Sequence, residues 1–411
     1  MSKKIVVIGG GAAGMMAAIS AAERGAQVTL LEPNERLGKK LNITGKGRCN
    51  VTNNCSMEEL MANIPCNGKF LYSAFSRFNS QDTMAFFEAL GVPLRTERGN
   101  RVFPQSDSAF DISDALRHRM RKLSVRWVRD RAVSVETSED GAVCAVAGEK
   151  ERYAADAAII ATGGMSYPGT GSTGDGYRMA EALGHTIVEP RGSLVPLESD
   201  DGDCGKMQGL ALKNVELTAF NKKNKAVFRE FGEMLFTHFG VSGPLVLSAS
   251  AHLRHWQREQ YRLVIDLKPA LDEQKLEARI LRDLTEQSNR DFEKIVAGLV
   301  PHSMVDVVLG KLGISGELKA HSVTREQRRA LVELLKKFPV SVTGPRSVRE
   351  AIVTSGGVKV GEVQPATMES KKISGLYFAG EVLDVDAYTG GFNLQIAWAT
   401  GRTAGICAAE S

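Results

Sequence analysis

The clearest candidates for chemistry in this chain are the glycines of a loop near its start. Gly9, Gly11 and Gly14 form the pattern G-x-G-x-x-G between an apolar run and an alanine-rich segment. In this pattern the first glycine permits a tight strand-to-helix turn, the second lets the backbone approach a pyrophosphate, and the third lets helix and strand pack closely. Unpaired N–H groups at the helix start favour anionic phosphate oxygens. The predicted dinucleotide contacts of this loop are Gly9, Gly11, Ala12, Ala13 and Gly14.

A carboxylate follows the loop at the end of a second predicted strand. The strand covers residues 28–31, and Glu32 comes next. An acidic side chain at this point of a βαβ unit is placed to accept hydrogen bonds from a ribose diol. The strand, the glycine loop, the helix and Glu32 together favour a bound nucleotide over a glycine turn without a ligand.

The segment 38–50 is rich in glycine and in cations. Such a composition suits an irregular loop that wraps around an extended anionic ligand. The contacts predicted from this loop are Lys39, Lys40, Thr44, Gly45, Gly47, Arg48, Cys49 and Asn50. The six cysteines of the chain are scattered without a C-x-x-C spacing, so we expect reduced thiols, no metal site and no redox role for Cys49.

Later segments return the chain to the same predicted site. An apolar strand at 157–160 runs into a glycine turn, and another at 375–379 ends at a glycine and a carboxylate. Small residues line the final helix, predicted at 394–409, so it can lie against another backbone or against a cofactor, and both interpretations stay open here. The further predicted cofactor contacts are Val133, Ala161, Thr162, Gly163, Gly380, Glu381, Gly391, Phe392, Asn393 and Leu394.

These residues need an α/β scaffold assembled from distant parts of the chain. A length of 411 residues suggests two or three domains. We predict a discontinuous Rossmann-like domain that binds the cofactor, over 1–190 and 355–411. An inserted β-rich substrate domain is predicted over 191–270 and 322–354, with a small helical lobe over 271–321.

The charge distribution does not favour a nucleic-acid partner. The formal net charge of +4 is small for this length. A basic cluster between Arg117 and Arg131 is interpreted as a solvated face, and the residues 125–136 that overlap it are predicted to form one strand. No segment reaches 18 uninterrupted apolar residues, so we expect no membrane span and a cytoplasmic location.

The glycine loop and the C-terminal block together resemble the glutathione-reductase-like flavoproteins with two dinucleotide-binding folds. In that family FAD lies extended across one Rossmann-like domain built from both ends of the chain. The resemblance implies that FAD is the dinucleotide and that Glu381 contacts its ribityl chain. It also implies that the helix start near Gly391 to Leu394 faces the pyrimidine edge of the flavin. The chain has no second G-x-G-x-x-G between a strand and a helix, so NAD(P)H is expected only as a transient co-substrate.

A narrower resemblance rests on five motifs that occur in the same order. It is to a bacterial family of NAD(P)/FAD-dependent flavoproteins, whose members are described as aminoacetone oxidases or as reductases of unsaturated 3-oxo bile acids. The five motifs lie at 38–53, 161–177, 232–244, 343–352 and 375–393. The five motifs identify the family. They do not identify the substrate, because the members of the family differ in activity.

The resemblance implies an FAD-dependent oxidoreductase that moves hydride or electrons through flavin N5 to or from a small organic substrate. An NAD(P)H-linked reductase is the first interpretation, and an amine oxidase that uses oxygen is the alternative. A flavin-containing RNA-binding or sensing protein is the alternative from another class. His238 is the candidate proton-transfer residue and Tyr388 the candidate for a hydrogen bond to a substrate oxygen, although a purely structural role is open for both. The sequence does not indicate an oligomeric state.

Overall fold

The protein forms two compact units. The structure is a computed structural model, and the residues that it describes are 2–254, 256–257 and 260–411. The first unit comprises Met1–Ser193 and Val348–Ser411, and the second is Leu194–Ser347. The segment 271–321, predicted as a helical lobe, lies within the second unit.

The strands are mostly short and are numbered here in chain order. They are β1 (Lys4–Ile8), β2 (Gln27–Leu31), β3 (Thr52–Asn53), β4 (Leu94–Glu97), β5 (Arg101–Pro104), β6 (Arg126–Val128), β7 (Ala132–Thr137), β8 (Val143–Gly148), β9 (Arg152–Ala154), β10 (Ala157–Ile160), β11 (Ile187–Ser193), β12 (Leu197–Glu198), β13 (Ala211–Phe220), β14 (Ala226–Thr237), β15 (Gly240–Ser242), β16 (Arg262–Asp266), β17 (Phe338–Ser341), β18 (Gly344–Pro345), β19 (Val353–Val358) and β20 (Leu376–Phe378).

The α-helices are numbered in the same way. They are α1 (Ala12–Glu23), α2 (Met57–Ala62), α3 (Tyr72–Arg77), α4 (Ser80–Ala89), α5 (Ala109–Lys122), α6 (Asp175–Ala182), α7 (Gly202–Lys206), α8 (Pro244–Ser250), α9 (Glu273–Glu286), α10 (Phe292–Ala297), α11 (Val305–Leu312), α12 (Arg325–Lys336) and α13 (Phe392–Glu410). Among the described residues, no helix combines the length and the apolar character that crossing a bilayer requires.

A five-stranded parallel sheet lies at the centre of the first unit, in the order β20-β10-β1-β2-β6. Strand β10 is buried along its whole length, and in β1 only the first residue is exposed, as expected of parallel strands covered on both faces. The chain winds from β1 through β2 to β6 on one side and returns through β10 to β20 on the other. Ligands of open parallel sheets bind at the carboxyl edge where the winding reverses, which here lies between β1 and β10.

Helix α13 packs directly against α1. A Cβ at Gly401 would collide with the carbonyl oxygen of Ala13, and one at Gly405 would collide with that of Ala17. Only glycine permits this approach of the two backbones. Gly401 and Gly405 therefore serve helix packing, whereas a cofactor contact of this helix stays a prediction.

The prediction of one strand over 125–136 is wrong. Strand β6 joins the parallel sheet, whereas β7 joins a separate antiparallel sheet with β8 and β9. Between them Asp130 is buried, and its carboxylate accepts hydrogen bonds from the Tyr153 hydroxyl (2.8 Å) and the Arg131 N–H (2.8 Å). A buried carboxylate needs such partners, and the segment 129–131 between the two strands places Asp130 within reach of them.

The chain leaves and re-enters the first unit along two paired strands. Strand β11 is antiparallel to β19, and Ser193 lies opposite Val353. The strand before the insertion and the strand after it are therefore neighbours. The α/β class and the discontinuous Rossmann-like domain predicted from the sequence are confirmed.

The second unit is built on a seven-stranded sheet in the order β17-β16-β13-β14-β15-β12-β18. All of its neighbouring strands are antiparallel. Leu217 and Leu263 of the sheet, Leu276 of α9 and Leu331 of α12 belong to one buried cluster. The helices and the sheet of this unit thus share a single hydrophobic core.

Candidate cofactor-binding site

In the glycine loop after β1, close contacts within the protein require Gly9 and Gly14, whereas the space beside Gly11 is open to a ligand. Gly9 has a φ of +106°, and a Cβ there would lie 2.5 Å from the carbonyl oxygen of Ala161. A Cβ at Gly14 would collide with the carbonyl oxygen of Gly9. A Cβ at Gly11 would meet nothing within 4 Å, so the protein itself does not require glycine there. A ligand that lies close to the backbone would require glycine there, which is the role of the second glycine in this pattern.

Helix α1 presents its free N–H groups at the same place. Its first backbone hydrogen bond runs from the Met15 N–H to the Gly11 carbonyl oxygen, at 2.9 Å. The N–H groups that precede Met15, including those of Ala12 and Ala13, have no partner within the helix. These donors and the helix dipole make the loop suitable for a pyrophosphate.

Glu32 is buried at the end of β2 and is fixed by two neighbours. Its Oε2 accepts a hydrogen bond from the Gly10 N–H (2.7 Å), and its Oε1 accepts from the Asn34 N–H (2.9 Å) and from Asn34 Nδ2 (2.7 Å). A carboxylate has about four acceptor positions and three are used here, so about one remains for a ribose hydroxyl. The sequence analysis did not identify Asn34, whose amide also donates to the Thr170 carbonyl oxygen at 3.0 Å.

An ion pair joins two loops at the carboxyl edge of the sheet. Lys40 Nζ lies 2.7 Å from Glu381 Oε2 and donates to the Ser166 hydroxyl at 2.7 Å. Glu381 Oε1 also accepts from the Thr354 N–H (2.8 Å) and from the Ser166 hydroxyl (3.0 Å). Burial raises the pKa of Glu381, but the charge and hydrogen bonds of Lys40 and the two other donors outweigh it, so the pKa lies below its usual range. Glu381 is therefore held as a carboxylate.

The loop 38–50 buries side-chain oxygens that have no protein partner. The Oδ1 atoms of Asn42 and Asn50 and the Oγ1 of Thr162 accept no hydrogen bond from the described residues. Buried polar atoms are normally satisfied, so a ligand with hydrogen-bond donors suits the two asparagines, whereas the Thr162 oxygen faces Gly176 of the protein itself. Thr44 differs, because its hydroxyl donates to the Leu41 carbonyl oxygen at 2.7 Å.

Arg48, predicted to contact the cofactor, is engaged with the protein. Its guanidinium donates to both carboxylate oxygens of Glu97 (3.0 and 3.2 Å) and to Asp107 (3.1 Å). It also lies 4.0 Å from the centre of the Phe103 ring. In this conformation Arg48 anchors the loop, and a cofactor contact of its guanidinium stays a prediction. Of the other predicted contacts in this segment, Lys39 and Gly45 are exposed and Gly47 is half-buried.

Cys49 should be chemically inert in the folded protein. Its side chain is fully buried, and burial raises its pKa to about 12. The thiolate is the reactive form, so we expect iodoacetamide at about pH 8 to leave Cys49 unlabelled in the native protein and to label it after denaturation. Peptide mapping by mass spectrometry would measure this, and labelling at the rate of an exposed thiol would contradict it.

The start of α13 reaches the same edge of the sheet. Gly391 precedes the helix with a φ of +100°, and a Cβ there would collide with the backbone of Thr52. Asn393 holds the preceding loop, because its side chain donates to the Ala387 carbonyl oxygen (2.7 Å) and accepts from the Ala387 N–H (2.9 Å). Phe392 is buried and Leu394 half-buried. Contacts within the protein are therefore enough to explain why position 391 is glycine and position 393 is asparagine.

Several residues that support this helix were missed by the sequence analysis. Gln395 Oε1 accepts hydrogen bonds from the hydroxyls of Thr52 (2.7 Å) and Thr83 (2.8 Å), and its amide donates to the Phe78 carbonyl oxygen (2.9 Å). The Trp398 indole donates to the Val51 carbonyl oxygen at 2.9 Å. Ser166 and Thr354, which hold Glu381 instead, were also missed. No spacing in the sequence marks these residues, because each acts through partners distant along the chain.

The structure places three further predicted site residues on different elements. His238 lies in the exposed turn between β14 and β15 of the second unit, with its ring 5.0 Å from that of Phe239. Tyr388 is half-buried in the first unit, and its N–H donates to the Asn63 carbonyl oxygen at 3.0 Å. Val133 is exposed on β7. Their roles in catalysis or cofactor binding stay predictions.

Most arginines of the basic cluster form ion pairs. Five of them lie 2.7 to 3.8 Å from a carboxylate. The pairs are Arg117–Asp114, Arg119–Glu23, Arg126–Glu151, Arg129–Glu35 and Arg131–Asp175. Such pairing is typical of a solvated face.

The residues at the carboxyl edge fit an extended dinucleotide such as FAD. The open approach at Gly11 suits its pyrophosphate, Glu32 suits a ribose, and the unpaired oxygens of Asn42 and Asn50 suit a ligand with donors. Gly380 adds to the arrangement, because its φ of +76° lets the chain pass close to α1. Within the part of the chain that the structure describes, no three His, Cys, Asp or Glu side chains are grouped so that they could hold a metal ion.

Comparison with known proteins gives matches over almost the whole chain. The profile of a family described as "HI0933-like protein Rossmann domain" matches residues 3–407. The 3-dehydro-bile acid delta(4,6)-reductase of Clostridium scindens is 32% identical over 99% of both chains. The ribosomal RNA dihydrouridine synthase of Escherichia coli is 33% identical over 96% of this chain and 95% of its own.

The fold is also found among solved structures. The 3-ketosteroid delta1-dehydrogenase of Sterolibacterium denitrificans matches with a TM-score of 0.54 and 14% identity, over 100% of both chains. At this level of identity the similarity concerns the fold alone.

Proposed function

The chain belongs to the HI0933-like family of Rossmann-domain proteins and is an FAD-dependent oxidoreductase, and from this premise we propose that it is an NAD(P)H-linked reductase of a conjugated carbon–carbon double bond. The observation that carries the proposal is the pair of relatives named for different substrates. Each is more than 30% identical over nearly the whole chain. What they have in common is therefore the best guide to this chain.

The two names describe one type of reaction. A delta(4,6)-reductase of a 3-dehydro bile acid reduces double bonds conjugated to a ketone, and a dihydrouridine synthase reduces the ring double bond of uridine, which is conjugated to a carbonyl. Such bonds accept hydride because the carbonyl takes up the developing negative charge. The proposal therefore concerns the reaction and leaves the choice between the two substrate classes to experiment.

The residues of the first unit would hold the cofactor for this reaction. The N–H groups of Ala12 and Ala13 would bind the pyrophosphate, and Glu32 would bind the adenosine ribose. The Lys40–Glu381 pair would lie beside the remainder of the molecule, where a fixed carboxylate orients hydroxyl groups. Bound FAD supplies a two-electron carrier between a nicotinamide and the substrate. His238 stays the candidate for delivering the proton that completes the reduction, and Tyr388 the candidate for a hydrogen bond to a substrate oxygen.

Anaerobic spectroscopy of the purified holoenzyme tests the proposal. We expect NADH or NADPH to bleach the flavin band near roughly 450 nm. A 3-oxo-4,6-diene bile acid or a uridine-containing RNA should then restore the band without oxygen. A sample without substrate is the control and should stay bleached.

The alternative is an amine oxidase that uses oxygen. It predicts bleaching by a small amine, with peroxide release in air and no response to either nicotinamide. That result would overturn the reductase assignment. A flavin that responds to neither class of reductant would favour a sensing role. A cytoplasmic location belongs to the same proposal, and the free state of all six cysteines supports it.

A further inference from the structure

The seven-stranded sheet of the second unit exposes one face that carries both aromatic and cationic side chains. Leu217, Ala219 and Leu263 are fully buried on the inner face. The alternate positions of these strands point the other way, and Phe231 on β14, which lies opposite Glu216 of β13, is 60% exposed. A large apolar side chain at that exposure, on a sheet face, suits contact with a partner.

An arginine and a second aromatic ring extend this face. The Arg262 guanidinium on β16 lies 4.6 Å from the centre of the Phe220 ring on β13. Arg229 on β14 is exposed and pairs with Glu216 on β13, with its Nε 2.8 Å from Oε1. Flat aromatic and guanidinium groups on an open sheet are the features on which nucleic-acid bases stack.

The hairpin between β13 and β14 adds a cluster of positive charge. Its tip has the sequence Asn-Lys-Lys-Asn-Lys at 221–225, and all three lysines are exposed. The Asn221 side chain accepts hydrogen bonds from the N–H groups of Lys223 (3.0 Å) and Lys225 (3.1 Å). Asn224 adopts a positive φ of 57° and accepts a hydrogen bond from Arg262 at 3.2 Å. The lysines are therefore displayed from an ordered turn beside the aromatic face.

We propose that this face, made of Phe220, Phe231, Arg229, Arg262 and the hairpin tip 221–225, binds single-stranded RNA, with bases on the aromatic rings and phosphates on the lysines. The proposal rests on the reductase function above and assigns its substrate to the nucleic-acid class. It departs from the expectation drawn from the net charge, because net charge does not report a local cluster. An anionic membrane is the other polyanion to consider, but the hairpin tip has no apolar side chain to insert into a bilayer.

Binding of a labelled oligouridylate by the holoenzyme, measured by fluorescence anisotropy at about 50 and 200 mM salt, tests the proposal. We expect the variant Lys222→Gln/Lys223→Gln/Lys225→Gln to bind at least about tenfold more weakly at the lower salt. Its slope of log affinity against log salt should fall by about one per lysine removed. The matched control is Arg121→Gln/Lys122→Gln/Arg126→Gln, which removes the same charge from α5 and β6 and should bind as the unaltered protein does.

The aromatic contribution is tested separately. Phe231→Ala should weaken binding by about tenfold without changing the salt slope. Tyr72→Ala, which removes an aromatic ring that is 61% exposed in the first unit, should have no effect. Because both rings are exposed, neither change should impair folding, and thermal unfolding would verify this.

Three results would overturn the proposal. They are no RNA binding at low salt, equal loss in the α5 control, and binding of phosphatidylserine vesicles but not of RNA. These outcomes are independent of the proposed function, because bleaching of the flavin by NAD(P)H is measured without RNA. If bleaching occurs and RNA binding does not, the reductase stands and the surface assignment fails.

Discussion

Replacing Gly11 with valine is expected to yield a folded protein that no longer retains FAD. The position accepts a side chain as far as the protein is concerned, because a Cβ there meets nothing within 4 Å and the φ of −80° is accessible to any residue. The branched side chain would occupy the space through which a pyrophosphate reaches the start of α1. Loss of two charge-assisted hydrogen bonds corresponds to at least about a 100-fold loss of affinity.

The measurement is FAD titration of the unliganded protein, followed by the absorbance of the purified sample near roughly 450 nm. Thermal unfolding without FAD should change little, because the N-cap position already lacks a side-chain hydrogen bond. Added FAD should stabilise the unaltered protein but not the variant.

Gly14→Ala is the matched control, because its Cβ would collide with the Gly9 carbonyl oxygen. It should lose about 3 kcal/mol or more of unfolding free energy even without cofactor. A yellow Gly11→Val protein with full FAD content would contradict the assignment of this loop.

Replacing Lys40 with methionine is expected to reverse the pH dependence of the contribution that Glu381 makes to stability. In the unaltered protein the folded-state pKa of Glu381 lies below the unfolded value of about 4.3, so this carboxylate stabilises the protein above that pH and the contribution is lost as the pH falls. Without Lys40, the effect of burial dominates and the pKa rises above the unfolded value. The stability of the variant should then fall as the pH rises from about 4 to 7.

The expected cost at neutral pH is about 2 kcal/mol. Removing one partner of a fully buried ion pair costs more stability than this. Here the Lys40 and Glu381 side chains are 22% and 21% exposed, so water can solvate part of the charge that is left. Urea unfolding of the cofactor-free protein at about pH 5 and pH 7 would measure both the cost and its pH dependence.

The chain offers two controls for this prediction. Lys39→Met removes an adjacent exposed lysine and should be neutral. The double variant Lys40→Met/Glu381→Gln removes both charges and should recover most of the loss. An equal effect of Lys39→Met, or an unchanged pH dependence in Lys40→Met, would show that the ion pair does not control the ionisation of Glu381.

The sequence was most informative where the required chemistry is local. The glycine loop and Glu32 lie within one βαβ unit, and their residue types are restricted by backbone geometry that the sequence records directly. The α/β class followed from the same pattern. The discontinuous domain could also be predicted, because apolar strands ending in glycine recur near both ends of the chain.

The sequence was least informative where a side chain acts through a distant partner. Ser166 and Thr354 are ordinary residues in their own segments, and only the fold brings them to Glu381. The single strand predicted over 125–136 failed for the same reason, because Asp130 between the two strands contacts Tyr153 of a later segment. The glycines of α13 could be assigned to helix packing only once α1 was seen against them.

The pairing of β11 with β19 makes the second unit a removable module. Because Ser193 and Val353 are partners across an antiparallel ladder, the ends of the first unit that flank residues 194–347 already lie side by side. A short turn in place of the insertion would convert the two strands into an ordinary hairpin.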